Sequence, residues 1–239
     1  DPGMGYGEMV YTWWADYSQY ITDNFWDARY KNILACNIIV DALPDMKYEA
    51  SEYGTYCKLA AQTYALRAYH YFCLVNTYGT PWSEENKNKL GVIKRTSPVV
   101  DVSPTERATV GEIYALMNED LKNAEKYLES ASTNYTKWEI TPAAVYFLAS
   151  QVALFQEDWE EVIRTSEEFI NLGGNELYDL NDVDRETCGL PGSSGGTFWI
   201  NQIAIDETVF LFSKNDNKFN YLAPNLFYTN YTLGFHTSW

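Results

Sequence analysis

Basic residues are scarce in this sequence. Its 239 residues include 17 Lys and Arg but 33 Asp and Glu, so the formal net charge is −16 at pH 7. Nucleic acids and anionic lipid surfaces are bound through basic patches, because their own charge is negative. The charge balance therefore argues against both classes of partner and is compatible with a neutral ligand.

Long apolar runs and metal-binding cysteine motifs are also lacking. No run of about 18 apolar residues occurs, so no membrane-spanning helix is predicted. The four cysteines form neither a C-x-x-C pair nor a zinc-ligand pattern. Cys57 and Cys73 would lie about 24 Å apart along one helix and could not pair, whereas Cys36 could face either across a helix pair. We expect mostly buried structural thiols, no metal site and no cofactor.

Aromatic residues, by contrast, are abundant. Phe, Trp and Tyr make up 16% of the chain, with 20 Tyr and 8 Trp. This content exceeds what a core needs, and exposed aromatic side chains mark binding surfaces. The richest early segment, residues 11–17, contains Tyr11, Trp13, Trp14 and Tyr17. Their rings, with the nearby Asp16 and Gln19, suit a ligand that offers both apolar and polar groups, although Trp13 or Trp14 could instead pack on the first helix.

Apolar spacing and end signals predict five helices. The first spans about 24–43 and ends before Pro44, and the second spans about 50–78 and stops at Gly79-Thr80-Pro81. After a long loop at 79–108, the third opens with the capping box Thr109-Val110-Gly111-Glu112 and the fourth with Thr141-Pro142. The fifth opens with a second capping-box pattern at Asp158-Trp159-Glu160-Glu161 and ends at Gly173-Gly174.

Helices four and five should form an antiparallel hairpin, because the turn between them is very short. The pair is similar to a degenerate tetratricopeptide unit. We therefore predict a mainly α fold of degenerate tetratricopeptide-like helical hairpins, with loop-rich segments and a few short strands.

The second helix carries a cation on its apolar face. Its stripe steps by three and four residues and consists of Tyr53, Cys57, Ala60, Tyr64, Ala68, Tyr71 and Val75. Arg67 points within roughly 40° of this stripe. A buried guanidinium is costly without acceptors, so a neighbour must supply carboxylates or carbonyls. Asn37 lies on the apolar face of the first helix, and we expect Arg67 and Asn37 to share one structural polar network.

The character of the chain changes after Gly174. Residues 175–239 are rich in Asn, Asp, Gly and Tyr, with strand-like runs at 197–203 and 207–212. The tail adds three aromatic candidates for ligand contact: Tyr228, Tyr231 and Trp239. Packing against a missing part of the protein would explain them equally well. Trp82, just after the Gly-Thr-Pro turn, is a weaker candidate.

Several sequence elements, in order, resemble the SusD/RagB family of surface nutrient-binding lipoproteins of Bacteroidetes. They are YKNI at 30–33 with NII at 37–39, LRAYHYF at 66–72 with YGTP at 78–81, RATV at 107–110 with Asp120, Leu121 and Ala124, AA at 143–144 with DW at 158–159, and ETVF at 207–210. The chain departs at Ala61-Gln62-Thr63, where the family often has Gly-Glu-Ala. Members are also longer, with a lipidated N-terminal cysteine, so the resemblance implies a partial chain.

The resemblance also implies a function. It predicts one incomplete SusD-like domain over 1–239, with a helical core at 24–174 and loop-rich ligand-side segments at 1–23 and 175–239. The implied activity is non-catalytic capture of an oligosaccharide or polysaccharide at the outer membrane surface, where a lipid anchor holds the protein. The captured ligand passes to a SusC-like TonB-dependent transporter barrel. The alternative is a helical-repeat module of the same system that binds a peptide or protein.

Two further motifs suggest other chemistry. Gly192-Ser193-Ser194-Gly195-Gly196 matches G-x-S-x-G, and an acidic residue and His236 follow in hydrolase order. That motif needs a strand before it and a helix after it, and a strand-like run follows here, so a hydrolase built on Ser194 is a remote alternative. The acidic run at 179–186 suggests calcium, but it lacks the glycine of an EF-hand loop, which favours a solvated loop.

Overall fold

Helices dominate the part of the chain that the computed structural model describes, which is residues 24–100, 105–136, 139–173, 210–214 and 218–222. The helices are α1 (Asn24–Ala42), α2 (Tyr53–Tyr78), α3 (Val110–Leu128), α4 (Pro142–Phe155) and α5 (Trp159–Asn171). The strands are β1 (Leu90–Ile93), β2 (Arg107–Thr109), β3 (Phe210–Lys214) and β4 (Lys218–Leu222). The prediction of a mainly α fold is confirmed. No helix among these residues is long and apolar enough to cross a membrane.

Helix α2 is central, with α1 packed on one side and α3 on the other. Because two neighbours cover it, α2 buries more than one stripe: Cys57, Ala60, Ala61, Thr63, Ala65, Arg67, Ala68, His70, Tyr71, Leu74 and Val75. The many alanines in this set let neighbouring backbones approach closely. Tyr53 was wrongly predicted to join the buried stripe. It is 43% exposed, because it lies in the first turn of the helix at the edge of the packed region.

Helices α1 and α2 end where their sequence signals predict. After Ala42 the chain continues as a short 3-10 turn, Leu43–Asp45, which contains Pro44. At the end of α2 the Gly79 N–H donates to the Val75 carbonyl at 2.8 Å. A Cβ at Gly79 would lie 2.6 Å from that carbonyl oxygen, so this close approach requires glycine.

The prediction that 79–108 is a loop is wrong in part, because β1 and most of β2 lie within it. The two strands pair antiparallel with one irregularity in register. With four and three residues, they offer too few positions to reveal an alternating pattern. The Arg107 guanidinium donates to the carbonyls of Gly91 and Tyr78. The strand pair therefore ties the end of α2 to the start of α3.

Side-chain caps begin α3, α4 and α5. Thr109 and Glu112 form the predicted reciprocal capping box at α3. Thr141 caps α4 by accepting from the Ala144 N–H at 3.1 Å. At α5, Asp158 accepts from the Glu161 N–H at 3.2 Å, but the predicted return bond is not formed. The reason is that the Asp158 N–H donates to Ala153, and Glu161 instead binds Arg164.

Helices α4 and α5 pack as the predicted hairpin. The Ser150 and Ser166 hydroxyls are hydrogen-bonded across it at 3.0 Å. The outer side of α5 is apolar and uncovered among the described residues: Trp159, Ile163 and Ile170 are 60%, 59% and 70% exposed. At about 100° per residue, these three side chains share one narrow face of the helix. Each helical hairpin of a repeat stack leaves such a face for its next neighbour.

The main core lies between α1, α2, α3 and α4. Its largest buried members include Ile33, Tyr71, Leu74, Ile113, Met117, Leu148 and Val152. A smaller cluster formed by Ala65, Ala124, Ile140 and Val145 extends it toward the start of α4. The predicted apolar stripes of α3 and α4 face these clusters, except that Phe155, at the end of α4, is 38% exposed.

Strands β3 and β4 form a separate antiparallel hairpin in which Phe210 pairs with Leu222 and Lys214 with Lys218. The strand predicted at 207–212 overlaps β3, whereas β4 was not predicted. The other predicted strand, at 197–203, lies outside the described residues.

Three of the four cysteines are described, and all three are free thiols. Cys36 and Cys57 are buried and Cys73 is half-buried, which agrees with the expected structural role. Burial raises the pKa of Cys36 to about 11, so it remains a protonated thiol near neutral pH.

Candidate functional site

The residues predicted to contact ligand lie outside the described residues. They are Tyr11, Trp13, Trp14 and Tyr17 before α1, and Tyr228, Tyr231 and Trp239 after β4. The same is true of Ser194, of Cys188 and of the acidic run at 179–186. Their roles stay predictions, and the described structure bears on them through the scaffold on which they are mounted.

An aromatic cluster lies at the start of α1. The Trp26 ring lies 4.8 Å from Tyr30 and 4.9 Å from Tyr78, the last residue of α2. The Phe25 ring lies 6.4 Å from Tyr78. The Tyr30 hydroxyl donates to the Ile93 carbonyl at 2.8 Å, and burial raises its pKa. These rings hold α1, α2 and β1 together.

Trp82, the weaker candidate, belongs to this packed region. Its ring is half-buried and lies 4.9 Å from the ring of Tyr114 on α3. The Tyr114 hydroxyl donates to Asn76 at 3.2 Å. The structure therefore places Trp82 at the edge of the core, in a packing role.

The predicted Arg67 network exists and is buried. Arg67 donates from Nε and Nη2 to the two carboxylate oxygens of Asp120 at 2.9 and 2.6 Å, and from Nη1 to Asn37 Oδ1 at 2.9 Å. All three residues are at most 6% exposed. Burial disfavours the charged guanidinium, but the hydrogen bonds and charge of Asp120 outweigh this and raise the pKa of Arg67. The cluster links α1, α2 and α3.

Asp120 is the member of this network that sequence reasoning missed as a partner. It lies on α3 between Met117 and Leu121, where a carboxylate on a buried face was a signal that an arginine is near. The two oxygens of Asp120 meet the planar fork of Arg67, the bidentate geometry that favours arginine over lysine. Its role is structural, because the cluster is closed to solvent.

The network also holds the segment after β1. Asn37 Nδ2 donates to the carbonyls of Arg95 and Ser97 at 3.0 and 3.2 Å. The Tyr71 hydroxyl donates to the Arg95 carbonyl at 2.6 Å and accepts from the Arg95 N–H at 2.7 Å. Burial raises the pKa of Tyr71 to about 12. Residues 95–97 are thus fixed against α1 and α2 by side-chain hydrogen bonds.

A second buried polar pair joins α1 to α2. Arg29 Nη1 lies 3.2 Å from His70 Nδ1, and its guanidinium lies 4.7 and 5.2 Å from the rings of Phe25 and Tyr69. Since arginine only donates, Nδ1 must accept and Nε2 must carry the imidazole hydrogen. Burial and the charge of Arg29 lower the pKa of His70 to about 3. His70 is therefore neutral at physiological pH and is not a general base or a pH sensor there.

A cluster of tyrosines with two exposed members lies at the opposite end of α2. We call it the tyrosine patch: Tyr48, Tyr53, Tyr56, Tyr64 and Tyr127. Ring centroids along it are separated by 4.5 Å (Tyr48–Tyr56), 6.2 Å (Tyr53–Tyr56), 6.1 Å (Tyr56–Tyr127) and 6.0 Å (Tyr64–Tyr127). Sequence reasoning did not single it out, although three tyrosines within residues 48–56 were a visible signal.

Other kinds of site find little support among the described residues. They contain no group of three or more His, Cys, Asp or Glu side chains placed to hold a metal ion. A cavity of ≈ 110 Å³ between α3, α4 and the start of α5 is lined by Lys122, Glu125, Asp158 and Glu161, among others. Ligand pockets are several times larger, about 300–1,000 Å³.

Comparison with known proteins decides the family. Residues 5–154, more than half of the chain, match the model of a SusD-like family described as starch-binding and associating with the outer membrane. The chain belongs to the SusD-like family. The matched range includes the aromatic segment at 11–17 and all of α1 to α3. A search of curated proteins finds no match.

Solved structures of SusD-like proteins share this fold. A putative sugar-binding protein from Bacteroides vulgatus is 27% identical with a TM-score of 0.59, over 63% of this chain and 33% of that one. A SusD superfamily protein from Bacteroides thetaiotaomicron is 23% identical with a TM-score of 0.59, over 66% and 34%. A SusD-like carbohydrate-binding protein from Bacteroides vulgatus is 18% identical with a TM-score of 0.63, over 80% and 37%.

The chain thus spans about a third of the length of these solved structures. What it has in common with them is the helical scaffold described above. The structures at 23% and 18% identity show that the fold is shared, whereas the match to the family model shows that the chain belongs to the family.

Proposed function

We propose that this SusD-like chain is part of a non-catalytic, lipid-anchored cell-surface protein that binds an oligosaccharide or polysaccharide and delivers it to a TonB-dependent outer-membrane transporter. The observation that carries the proposal is the family match over residues 5–154, because the family is described by starch binding at the outer membrane. A related structure at 27% identity is named as a putative sugar-binding protein.

The scaffold supports a ligand surface near residues 11–17. Tyr17 is seven residues before Asn24, a reach of at most about 25 Å. The start of α1 is fixed by the contacts of Phe25 and Trp26 with Tyr78. The segment is therefore joined by a short stretch of chain to a base that the contacts of Phe25 and Trp26 fix.

The charge of the chain favours a neutral glycan. With a net charge of −16, an acidic polysaccharide would be repelled over the Debye length at ordinary salt. Stacking on Trp13 and Trp14 needs no ligand charge, because the contact is between an aromatic face and sugar C–H groups.

Titration of the 239-residue chain with neutral oligosaccharides tests the proposal. We expect Trp13→Ala and Trp14→Ala each to weaken binding at least about tenfold, which corresponds to about 1.4 kcal/mol. Trp159→Ala is the matched control, because Trp159 is 60% exposed on α5, outside the proposed surface. Absence of binding to a broad glycan panel by the full-length protein would contradict the proposal, as would equal effects of all three substitutions.

Two alternatives have distinct outcomes in the same experiments. Affinity for peptides and none for glycans would favour a peptide-binding module, and peptidase genes beside the transporter gene would agree with it. Esterase activity that Ser194→Ala abolishes would favour the remote hydrolase alternative.

Co-purification of the full-length protein with its transporter barrel tests the delivery step.

A further inference from the structure

We infer that the tyrosine patch is a second sugar-binding surface that takes a neutral oligosaccharide. The inference rests on the proposed function and adds a site on the described helical scaffold. Tyr48 and Tyr53 are its contact residues, since each is 43% exposed. Tyr56, Tyr64 and Tyr127 lie behind them as support.

The patch lies at the opposite end of α2 from the start of α1. Tyr53 begins α2 and Tyr78 ends it, so the two residues are about 38 Å apart along the helix. The start of α1 lies beside Tyr78, since the Trp26 ring is 4.9 Å from the Tyr78 ring. One sugar ring at Tyr53 therefore cannot also contact the aromatic cluster at the start of α1.

The geometry of the rings forms a continuous aromatic surface. Tyr48 lies over Tyr56 with an interplanar angle of 32°, and Tyr53 is within 17° of parallel to Tyr56. The centroids of the two exposed rings, Tyr48 and Tyr53, are 5.5 Å apart. These two adjacent rings are inclined at 37° to each other, and together they present enough aromatic area for more than one sugar unit.

The patch is held in place before any ligand binds. The Tyr56 hydroxyl donates to the Leu43 carbonyl at 3.2 Å. Glu49 and Glu52 form a capping box in the turn that separates Tyr48 from Tyr53. Tyr127 packs edge-on against Tyr56 from α3, at an interplanar angle of 77°. Rings fixed in this way lose little conformational entropy on binding, which favours affinity.

The chemistry of the patch suits a sugar better than an apolar protein surface. The other exposed apolar surface, on α5, consists of Trp159, Ile163 and Ile170, which are aliphatic or indole side chains. Every ring of the tyrosine patch instead carries a hydroxyl beside an apolar face. A ligand that offers both C–H groups and hydroxyls matches that pattern, and the carboxylates of Glu49 and Glu52 at its edge disfavour an anion.

Binding measurements with maltoheptaose and laminariheptaose, and with the polysaccharides starch and laminarin, test the inference. The test variant is the double substitution Tyr48→Ala with Tyr53→Ala, in the 239-residue chain. We expect the number of bound heptasaccharides to fall by one, and the affinity for polysaccharide to fall at least about tenfold because two linked sites bind one chain with avidity.

Matched controls separate ring stacking from folding. Tyr48→Phe with Tyr53→Phe keeps both rings, and we expect polysaccharide affinity within about threefold of the wild type. Circular dichroism should show unchanged helix content in both double variants, because the substituted side chains are half in solvent.

The outcomes distinguish this inference from the proposed function. Sugar binding that depends on Trp13 and Trp14 but not on Tyr48 and Tyr53 overturns the inference and leaves the proposed function intact. Loss of peptide binding, and not of sugar binding, in the alanine double variant overturns it in favour of a peptide surface. Absence of any sugar binding in the wild type overturns both.

Discussion

The two ends of α2 differ in how their aromatic residues are held. At the C-terminal end, the Tyr78 ring packs against Phe25 and Trp26, and its carbonyl accepts from Arg107. At the N-terminal end, Tyr53 contacts the rings of Tyr48 and Tyr56 and is 43% exposed. One helix therefore joins a packed aromatic end to an exposed one.

The difference shows that tyrosines in this protein serve two roles. Tyr30 and Tyr71 bury their rings and bind backbone carbonyls at residues 93 and 95 through their hydroxyls. In the tyrosine patch, by contrast, the rings contact one another and the outermost rings are exposed. Composition alone predicted a surplus of aromatics over the needs of the core, and the structure shows that Tyr30 and Tyr71 serve the scaffold through hydrogen bonds to residues 93 and 95.

The largest expected effect comes from breaking the cluster between the two ends. Asp120→Ala would leave the buried Arg67 guanidinium without its two carboxylate bonds. We expect a loss of about 3–5 kcal/mol in the free energy of unfolding, measured by urea denaturation. Glu125→Ala, on the same helix, is the control: its partner Arg164 is 42% exposed, so we expect at most about 1 kcal/mol.

If Asp120→Ala does not fold, Asp120→Asn serves instead, because it keeps an acceptor oxygen and the side-chain volume. Similar small losses for the Asp120 and Glu125 variants would show that the buried cluster does not hold the helices.

A matched pair of tyrosine substitutions compares the two ends directly. Tyr71→Phe removes the hydroxyl that accepts a hydrogen bond from the Arg95 N–H and donates one to the Arg95 carbonyl. We expect a loss of about 2 kcal/mol, because the Arg95 N–H loses its partner in a partly buried setting and the Arg95 carbonyl keeps only its bond from Asn37. Tyr53→Phe should change the unfolding free energy by less than about 0.5 kcal/mol, as is usual at exposed positions. Equal losses would contradict the division of roles.

The smallest expected effect concerns the pH dependence of stability that His70, on α2, contributes. The pKa of His70 is about 3 when folded and near 6.5 when unfolded. Below pH 6.5 His70 is therefore protonated in the unfolded chain but neutral in the folded chain. The free energy of unfolding consequently falls as the pH falls toward 3. Between pH 7.5 and 5.5 we expect His70 to account for a loss of about 1.4 kcal/mol.

His70→Gln should remove that part of the pH dependence, as measured by urea unfolding of both proteins at the two pH values. An unchanged dependence in the variant would show that His70 is not held neutral in the folded state.

Helix positions were predictable because their signals are local. Capping residues at Thr109 and Thr141 and the stop at Gly79 act within one turn of the backbone. The need for a partner to Arg67 was also predictable, since a cation on an apolar face must be satisfied. The identity of that partner was not, because Asp120 is 53 residues away and only tertiary packing joins them.

The misses have physical reasons of the same kind. Strand β1 is held by Arg107 and Tyr30, whose hydrogen bonds to Gly91 and Ile93 join residues far apart along the chain, and its own four residues show no pattern. The tyrosine patch gathers residues 48–64 and Tyr127, and exposure depends on where the packed region ends. The proposed ligand residues at 11–17 and in the tail stay predictions.

The Arg67 cluster also determines the order in which this part of the chain can be completed. It joins Asn37, Arg67, Arg95 and Asp120, which span residues 37–120. Closing loops of this length costs conformational entropy. The hydrogen bonds of the cluster offset that cost only when all of them have formed. We therefore expect the cluster to close only after the apolar faces of α1, α2 and α3 have docked, and we expect these three helices to open together.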